Sequence, residues 1–336
     1  MTPYRIDVHH HYVTPGLVEQ LARVGVHQIG GAPLPAWTLE DSLAMMDRHE
    51  VAAALLSVPV PLQFGDAAVS RRMARALNEF GADCVAHAPD RFGLLAALPL
   101  PDVEGALAEI AYAFDMLGAD GIALLSNHAG VYLGDRCFDP VFEELDRREA
   151  VVHVHPTADP HVASPVVGLE PSVLEFVFDT TRAVANLIVS GTLARYQRVR
   201  LILVHAGGVV PYVRDRILDR RPILRRVAAG PPPRQKELLE LMEAGLRDTR
   251  RQLRDLYYDT ALSTDEVVLR ALADVAPGSH VLLGTDFPFA QDLGASLAIE
   301  GLARYAGFDR DDRRAIEADN AAALFPRLAP SLQEAA

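Results

Sequence analysis

Residues 4–11, with the sequence YRIDVHHH, carry the pattern that decides the fold: a short apolar run that passes directly into a histidine cluster. Seven further short runs rich in β-branched residues or leucine follow along the chain. Their lengths are typical of strands, and stretches with helical spacing separate them, which predicts parallel strands joined by helices. The eight predicted strands are residues 4–8, 52–58, 93–98, 121–125, 151–155, 201–204, 256–259 and 280–283.

Eight alternating units predict a closed (β/α)8 barrel, or TIM barrel, as the fold. The predicted helices are residues 39–49, 67–83, 103–117, 140–148, 172–184, 210–225, 238–253 and 265–275, with two more near 293–305 and 311–324. We expect residues 1–328 to form a single domain that the last two helices close, and residues 329–336 to be a flexible tail.

The composition restricts the class of protein and its partners. The net charge of −13, from 32 basic and 45 acidic residues, argues against binding to nucleic acid or to anionic membranes. An anionic substrate would therefore need a local cationic site. The apolar runs are too short to span a bilayer, and the chain does not start with a secretory signal pattern. With only two cysteines and no disulfide framework, we expect a cytoplasmic protein.

Candidate metal ligands follow four of the eight predicted strands. The first strand leads into His9 and His11, the fifth ends at His155, and the sixth and eighth lead into His205 and Asp286. Barrel enzymes carry their active sites at the carboxyl ends of the strands. A lone histidine could be structural and Asp286 could be a helix N-cap, but neither explains the coincidence at four strand ends. We therefore predict a metal site there.

Strand alternation sorts these side chains by face, because successive residues point to opposite sides. His9 and His11 share one face and can chelate one metal, whereas His10 points the other way. His153 shares the face of His155 but lies one layer deeper, as a core residue. Asp7 is expected to face inward below His9, where its carboxylate could accept a hydrogen bond from an imidazole.

Three imidazoles and one carboxylate suit one divalent metal ion, Zn²⁺ first, with Mn²⁺ or Fe²⁺ as alternatives. A carbamate-bridged pair of metals would need a lysine in the site. Lys236 is the only lysine of the chain, and it lies in the Pro-rich stretch 229–240, AGPPPRQKELLE. We therefore expect a single metal. His205 is either a further ligand or an active-site residue that does not touch the metal.

Four motifs in this order, IDVHHHYVTP, VVHVHPT, LILVHAGG and LLGTDFPF, make the chain resemble the amidohydrolase superfamily. The resemblance is to the amidohydrolase-related branch that includes aminocarboxymuconate-semialdehyde decarboxylase and the hydroxybenzoate decarboxylases, and it extends from Ile6 to about Leu328. It implies His9, His11, His155 and Asp286 as metal ligands and His205 as a base or substrate contact. It also implies a homodimer. Some members of the branch have Glu where this chain has His9, and this difference leaves the choice between Zn²⁺ and Mn²⁺ open.

The same resemblance implies a metal-dependent non-oxidative decarboxylase of a hydroxybenzoate-like acid, such as 6-methylsalicylate. The ring carbon that bears the carboxylate must be protonated before CO2 leaves, and Asp286 and His205 are the candidate acids. The alternative is hydrolysis of an ester, lactone or amide, in which the metal would lower the pKa of bound water to about 7 and His205 would act as the base. No organic cofactor is expected, since no phosphate-binding glycine pattern occurs.

Contacts to a small aromatic substrate are predicted from position alone. Trp37 lies in the Gly- and Pro-rich segment 27–37 after the first strand, which is a candidate lid or a plain loop. Asn127 and Phe287 follow the fourth and eighth strands, and Arg216 follows the sixth, where it could approach a carboxylate. Core packing is the alternative for Trp37 and Phe287, and an exposed helix position is the alternative for Arg216.

Overall fold

Eight parallel strands form the sheet of this protein in a computed structural model that describes residues 3–158, 168–218, 236, 239–240 and 249–329. The strands pair with their neighbours in chain order. Their bounds are β1 (Arg5–His11), β2 (Val51–Ser57), β3 (Phe92–Ala97), β4 (Gly121–Leu125), β5 (Val151–His155), β6 (Arg200–Leu203), β7 (Tyr257–Asp259) and β8 (Val281–Leu282). This arrangement confirms the predicted (β/α)8 barrel.

The chain that follows β8 closes the barrel against β1. The backbone N–H of Val8 donates to the carbonyl of Leu283 (3.0 Å), and the N–H of His11 donates to that of Phe287 (2.7 Å). In the opposite direction, the N–H of Asp286 donates to the carbonyl of His9 (2.9 Å). These bonds fix the segment that carries Asp286 directly beside the segment that carries His9 and His11.

Helices of the described residues connect the strands around the outside. They are α1 (Pro15–Arg23), α2 (Leu39–Arg48), α3 (Ala67–His87), α4 (Val103–Asp115), α5 (Asp139–Arg147), α6 (Pro171–Val189), α7 (Thr192–Arg195), α8 (Val210–Leu218), α9 (Thr249–Asp255), α10 (Glu266–Ala273), α11 (Gln291–Arg304), α12 (Arg310–Arg314) and α13 (Asn320–Leu324). A π-helical turn, Ala315–Asp319, joins the last two. Side chains cap several starts: Thr14, Thr38 and Asp102, for example, accept a backbone N–H of the first turn of α1, α2 and α4.

Two apolar layers hold the barrel together. The larger lies between the strands and the helices, and the smaller fills the barrel below the strand ends, with Ile6, Leu55 and Ile202 among its members. Leu324, Phe325 and Leu328 belong to the inner layer. The carboxyl-terminal segment therefore contributes side chains to the barrel interior.

The structure differs from the prediction mainly at β1, which runs on to His11. Its pairing with β2 contains a β-bulge between Asp7 and His10. Asp7 pairs with Ala54 and His10 with Leu56, so β1 has one more residue than β2 over this stretch. The predicted tail, apart from residue 329, lies outside the described residues. Within the part of the chain that is described, no helix has the length and hydropathy needed to cross a bilayer.

Candidate metal centre

Four side chains converge at the carboxyl ends of β1, β5 and β8. The ligand atoms of His9, His11, His155 and Asp286 all lie within 4.8 Å of one another. The Nε2 atoms of His9 and His11 are 2.9 Å apart, and Oδ1 of Asp286 lies 3.4 Å and 3.2 Å from them. All four residues are buried. Buried imidazole nitrogens and a carboxylate that face one point fit a divalent metal ion.

Each of the three imidazoles uses its other ring nitrogen to contact the protein. Nδ1 of His9 lies 2.8 Å from Oδ2 of Asp259, and Nδ1 of His11 lies 2.8 Å from Oγ of Ser57. Nδ1 of His155 donates to the carbonyl of Pro156 at 2.8 Å. Such partners fix the ring orientation and leave Nε2 free of the proton, as metal-bound histidines require.

Burial and neighbouring charges shift the pKa values of the clustered side chains in different directions. Burial by itself would lower the pKa of His9, but the carboxylates of Asp259 and Asp286 outweigh it and raise that pKa to about 10. Burial lowers the pKa of His11 to about 4 and holds the pKa of His155 well below its usual range. Burial would raise the pKa of Asp286, but His9 and His11 hold it well below normal. The two carboxylates therefore favour a positive charge on His9, whereas burial disfavours one on His11 and His155.

The bulge in β1 overturns the expected position of Asp7. Ile6 and Val8 point into the barrel, so Asp7 points out of it, on the same side as His10. Its carboxylate accepts from Nδ1 of His10 (3.0 Å), from the N–H of His9 (3.0 Å), and from the N–H and hydroxyl of Thr285 (3.0 and 2.6 Å). The expected imidazole contact exists, but it is made to His10, because the bulge reverses the alternation after Val8.

His205 stands beside the cluster on a strained turn. Its Nδ1 donates to the carbonyl of Ala261 (2.9 Å), and its backbone N–H donates to Asp259 (2.9 Å). His205 and Asp286 both adopt left-handed backbone, with φ of 53° and 60°, which is uncommon outside glycine and concentrates at functional sites. Gly208 follows, where a Cβ would lie 2.2 Å from the carbonyl of Val177, so this glycine allows the turn to pack against α6.

A cavity of about 390 Å³ opens above the cluster. His155, His205 and Asp286 line it, and most of the remaining lining is apolar. Two aromatic rings flank the ligands: Phe176 lies 5.8 Å from the ring of His155, and Phe289 lies 5.6 Å from that of His11. The described lining residues include no arginine or lysine.

The predicted substrate contacts lie around the cavity rather than on its described wall. Asn127 donates to the carbonyl of Thr157 and to the carboxylate of Asp179. Phe287 packs against His10, with ring centroids 5.1 Å apart. Trp37 donates its indole N–H to Ser42 (2.8 Å), and Arg216 is exposed on α8. The segment 27–37 nevertheless reaches the cavity, since its Gln28–Ile29 and Ala32–Pro33 strands place Ile29 and Ala32 on the wall.

Sequence reasoning missed several residues of the site. Asp259 ends β7, so the rule that selected the other strand ends could have found it. Phe289 lies two positions after the predicted Phe287. Phe176 comes from α6, and no local pattern marks it. Lys236, the only lysine of the sequence, is exposed and lies outside the cluster, with its Nζ 3.9 Å from the carboxylate of Glu240.

Comparison with known proteins gives concordant matches. The amidohydrolase family model matches residues 6–327. A 6-methylsalicylic acid decarboxylase of Aspergillus aculeatus is 35% identical over 337 residues, covering 96% of each protein. Another, from Penicillium expansum, is 33% identical and covers 98% of this chain and 99% of its own. The crystal structure of an amidohydrolase II superposes with a TM-score of 0.85 at 28% identity, covering 96% of this chain and 99% of the other.

Proposed function

Since this chain belongs to the amidohydrolase family, we propose that it is a metal-dependent non-oxidative decarboxylase, a carboxy-lyase, of a hydroxybenzoate-like acid with 6-methylsalicylate as the reference substrate. Two relatives named for that activity align with it almost from end to end at 33–35% identity. The observation that carries the proposal is the convergence of three imidazoles and a carboxylate beneath an apolar cavity.

We propose that His9, His11, His155 and Asp286 hold one divalent ion, and that Zn²⁺ is the first candidate because three of the four donors are imidazoles. When bound, the ion supplies positive charge for an anionic substrate and acts as a Lewis acid. This charge matters because the described cavity wall offers no arginine or lysine to an aromatic carboxylate. The contacts of Asp259, Ser57 and Pro156 hold the three imidazoles ready for the ion.

The cavity wall suits an aromatic ring. Phe176 and Phe289 stand on either side of the ligand cluster, and each packs edge-on against a ligand histidine. A flat substrate ring bound between them would displace water from both apolar surfaces, which favours binding. The same contacts would hold the ring close to Asp286 and His205.

Asp286 and His205, which both line the cavity, are the candidate groups for proton transfer. We assign the transfer to Asp286: its carboxylate takes the proton of the ortho hydroxyl and delivers it to the ring carbon that bears the carboxylate. The bond from that carbon to the carboxylate then breaks, CO2 leaves, and the electron pair restores the aromatic ring, whose oxygen regains a proton from solvent. His205 keeps Nδ1–H on Ala261, which leaves Nε2 to accept a hydrogen bond or a proton from the substrate.

The test is a panel of hydroxybenzoates incubated with metal-loaded protein, with CO2 and phenols measured. We expect CO2 release from salicylates with a free ortho hydroxyl and none from the methyl ether of the best substrate, because the ether has no proton to give. Cleavage of esters or lactones without CO2 release would instead establish a hydrolase on the same site.

A further inference from the structure

Two apolar side chains at the opening of the active-site cavity are exposed to solvent. Leu262 is 54% exposed and Val173 is 61% exposed, and both line the cavity that contains His155, His205 and Asp286. They extend the apolar wall outward from the buried ligand cluster to solvent. Exposed apolar surface that continues into a cavity is typical of a ligand-binding surface.

The backbone of Leu262 adds an independent observation. Its φ is +53°, a left-handed conformation that asparagine and glycine adopt readily and that is costly for leucine. The preceding residue, Ala261, accepts the Nδ1–H of His205, so the loop is tied to the reaction centre. A strained backbone that presents an exposed leucine beside the active site points to a contact made only when ligand is bound.

The size and charge of the cavity indicate which part of a ligand would contact Leu262 and Val173. About 390 Å³ falls in the range of pockets for ligands larger than a single ring, roughly 300–1,000 Å³. Glu170, also on the wall, is exposed and would repel a second carboxylate. An uncharged, apolar extension of the substrate fits both features.

We propose that Leu262 and Val173 form a subsite for an alkyl chain on the aromatic acid, so that the preferred substrates are salicylates whose ring carries an alkyl group longer than methyl. This inference rests on the proposed function for its substrate class. The alkyl chain of the substrate would cover the two exposed side chains and exclude water from the reaction centre beneath them.

The first experiment compares kcat/KM for salicylate, 6-methylsalicylate, 6-propylsalicylate and 6-pentylsalicylate. For the wild-type enzyme we expect a rise of roughly two- to fourfold per methylene that reaches the subsite. Leu262→Asn keeps a residue suited to left-handed backbone and removes the apolar surface, so the ratio of the pentyl to the unsubstituted substrate should fall. Leu262→Gly provides the same test if the asparagine variant does not fold. Val267→Thr, at a valine that is 71% exposed outside the cavity, should leave the ratio unchanged.

The second experiment measures binding of 3-pentylphenol and phenol to the metal-loaded protein by calorimetry, which needs no turnover. Tighter binding of 3-pentylphenol that weakens in Leu262→Asn supports the subsite, even if no aryl acid loses CO2 and the proposed function fails. Equal affinity for the two phenols, or a preference that Leu262→Asn leaves intact, overturns the subsite while CO2 release from salicylates would still support the decarboxylase.

Discussion

At the scale of single residues, the site separates groups that would hold the metal from a group that would serve the substrate. His9, His11 and Asp286 point their ligand atoms at one another, and each imidazole has a protein partner on its far nitrogen. His205 shares the cavity but is held by Ala261, on a different loop. These different contacts lead to different expectations for substitution.

His205→Ala should lower kcat by at least 100-fold, the usual effect of losing a group that assists proton transfer or binds the reacting carboxylate, while the metal content stays near one equivalent. His11→Ala should lose metal and activity together. Elemental analysis of the purified variants, combined with turnover measurements, checks both. Equal metal loss from the two variants would make His205 a ligand.

Metal binding should release a proton. The pKa of His9 is raised to about 10 in the metal-free site, so at pH 7–9 the ring carries a proton that binding must expel, and apparent affinity should rise by about tenfold per pH unit over that window. His11, with a pKa of about 4, is already neutral there. Titration calorimetry in buffers of different ionisation enthalpy should find about one proton released per ion.

Asp259→Asn tests whether the carboxylate of Asp259 raises the pKa of His9. Loss of the carboxylate lowers the basicity of His9 and frees its orientation, so metal affinity should fall by about 10–100-fold and less proton should be released. Asp292→Asn, at an exposed carboxylate paired with Arg48, should match the wild type. A metal affinity independent of pH between 7 and 9 would contradict the account of His9.

At the scale of elements, most of the fold could be predicted because barrel strands and amphipathic helices leave strong periodic signals. The strand ends pointed to His9, His11, His155 and Asp286, and the structure brings their ligand atoms within 4.8 Å of one another, since the carboxyl ends of parallel strands meet at one face. The bulge in β1 could not be predicted, because a one-residue irregularity leaves the apolar pattern of residues 4–8 intact and yet reverses every later side chain.

Contacts that depend on tertiary packing could not be predicted from the sequence either. Phe176 reaches the cavity from the second turn of α6, and only the packing of that helix against the barrel brings it to His155. Trp37 lies in a segment that does reach the site, but its own ring packs against Tyr12 and Phe80. Phe287 and Phe289 are two residues apart, and local pattern cannot decide which of them faces the substrate.

The junction of β1 with the segment after β8 depends on Asp7. Its buried carboxylate accepts four hydrogen bonds that tie His9 and His10 to Thr285, next to Asp286. Asp7→Ala leaves these donors unpaired and should lower the free energy of unfolding by about 3 kcal/mol. It should also weaken metal binding, although Asp7 is not a ligand. Denaturant unfolding and metal titration check this; a variant with wild-type values in both would contradict the role, and Asp292→Ala is the control.

At the scale of the whole molecule, we propose that the barrel and its carboxyl-terminal helices unfold as one domain. Phe325 is 2% exposed and belongs to the apolar layer inside the barrel with Ile6 and Leu282. Phe325→Ala should therefore cost about 3–5 kcal/mol and shift a single cooperative transition. Met116→Ala, at a side chain that is 72% exposed, should have little effect. Two separate transitions in the wild-type protein would contradict a single domain.

The acidic surface and the cavity act together on substrate choice. A net charge of −13 gives no long-range attraction for an aromatic carboxylate, and the described residues of the cavity wall include no arginine or lysine. Recognition must then depend on the ligand cluster and on apolar contacts. This is the physical reason that loss of metal should abolish binding of the acid as well as its turnover.

The central claim is that CO2 is replaced by a proton from the enzyme without addition of water. Its most direct test is the reaction of 6-methylsalicylate with metal-loaded enzyme in D2O, followed by NMR of the phenol. The account predicts one deuterium at the carbon that lost CO2 and no heavy oxygen in the product when labelled water is used. Incorporation of that oxygen, or recovery of 6-methylsalicylate unchanged while an ester or lactone is cleaved, would contradict it.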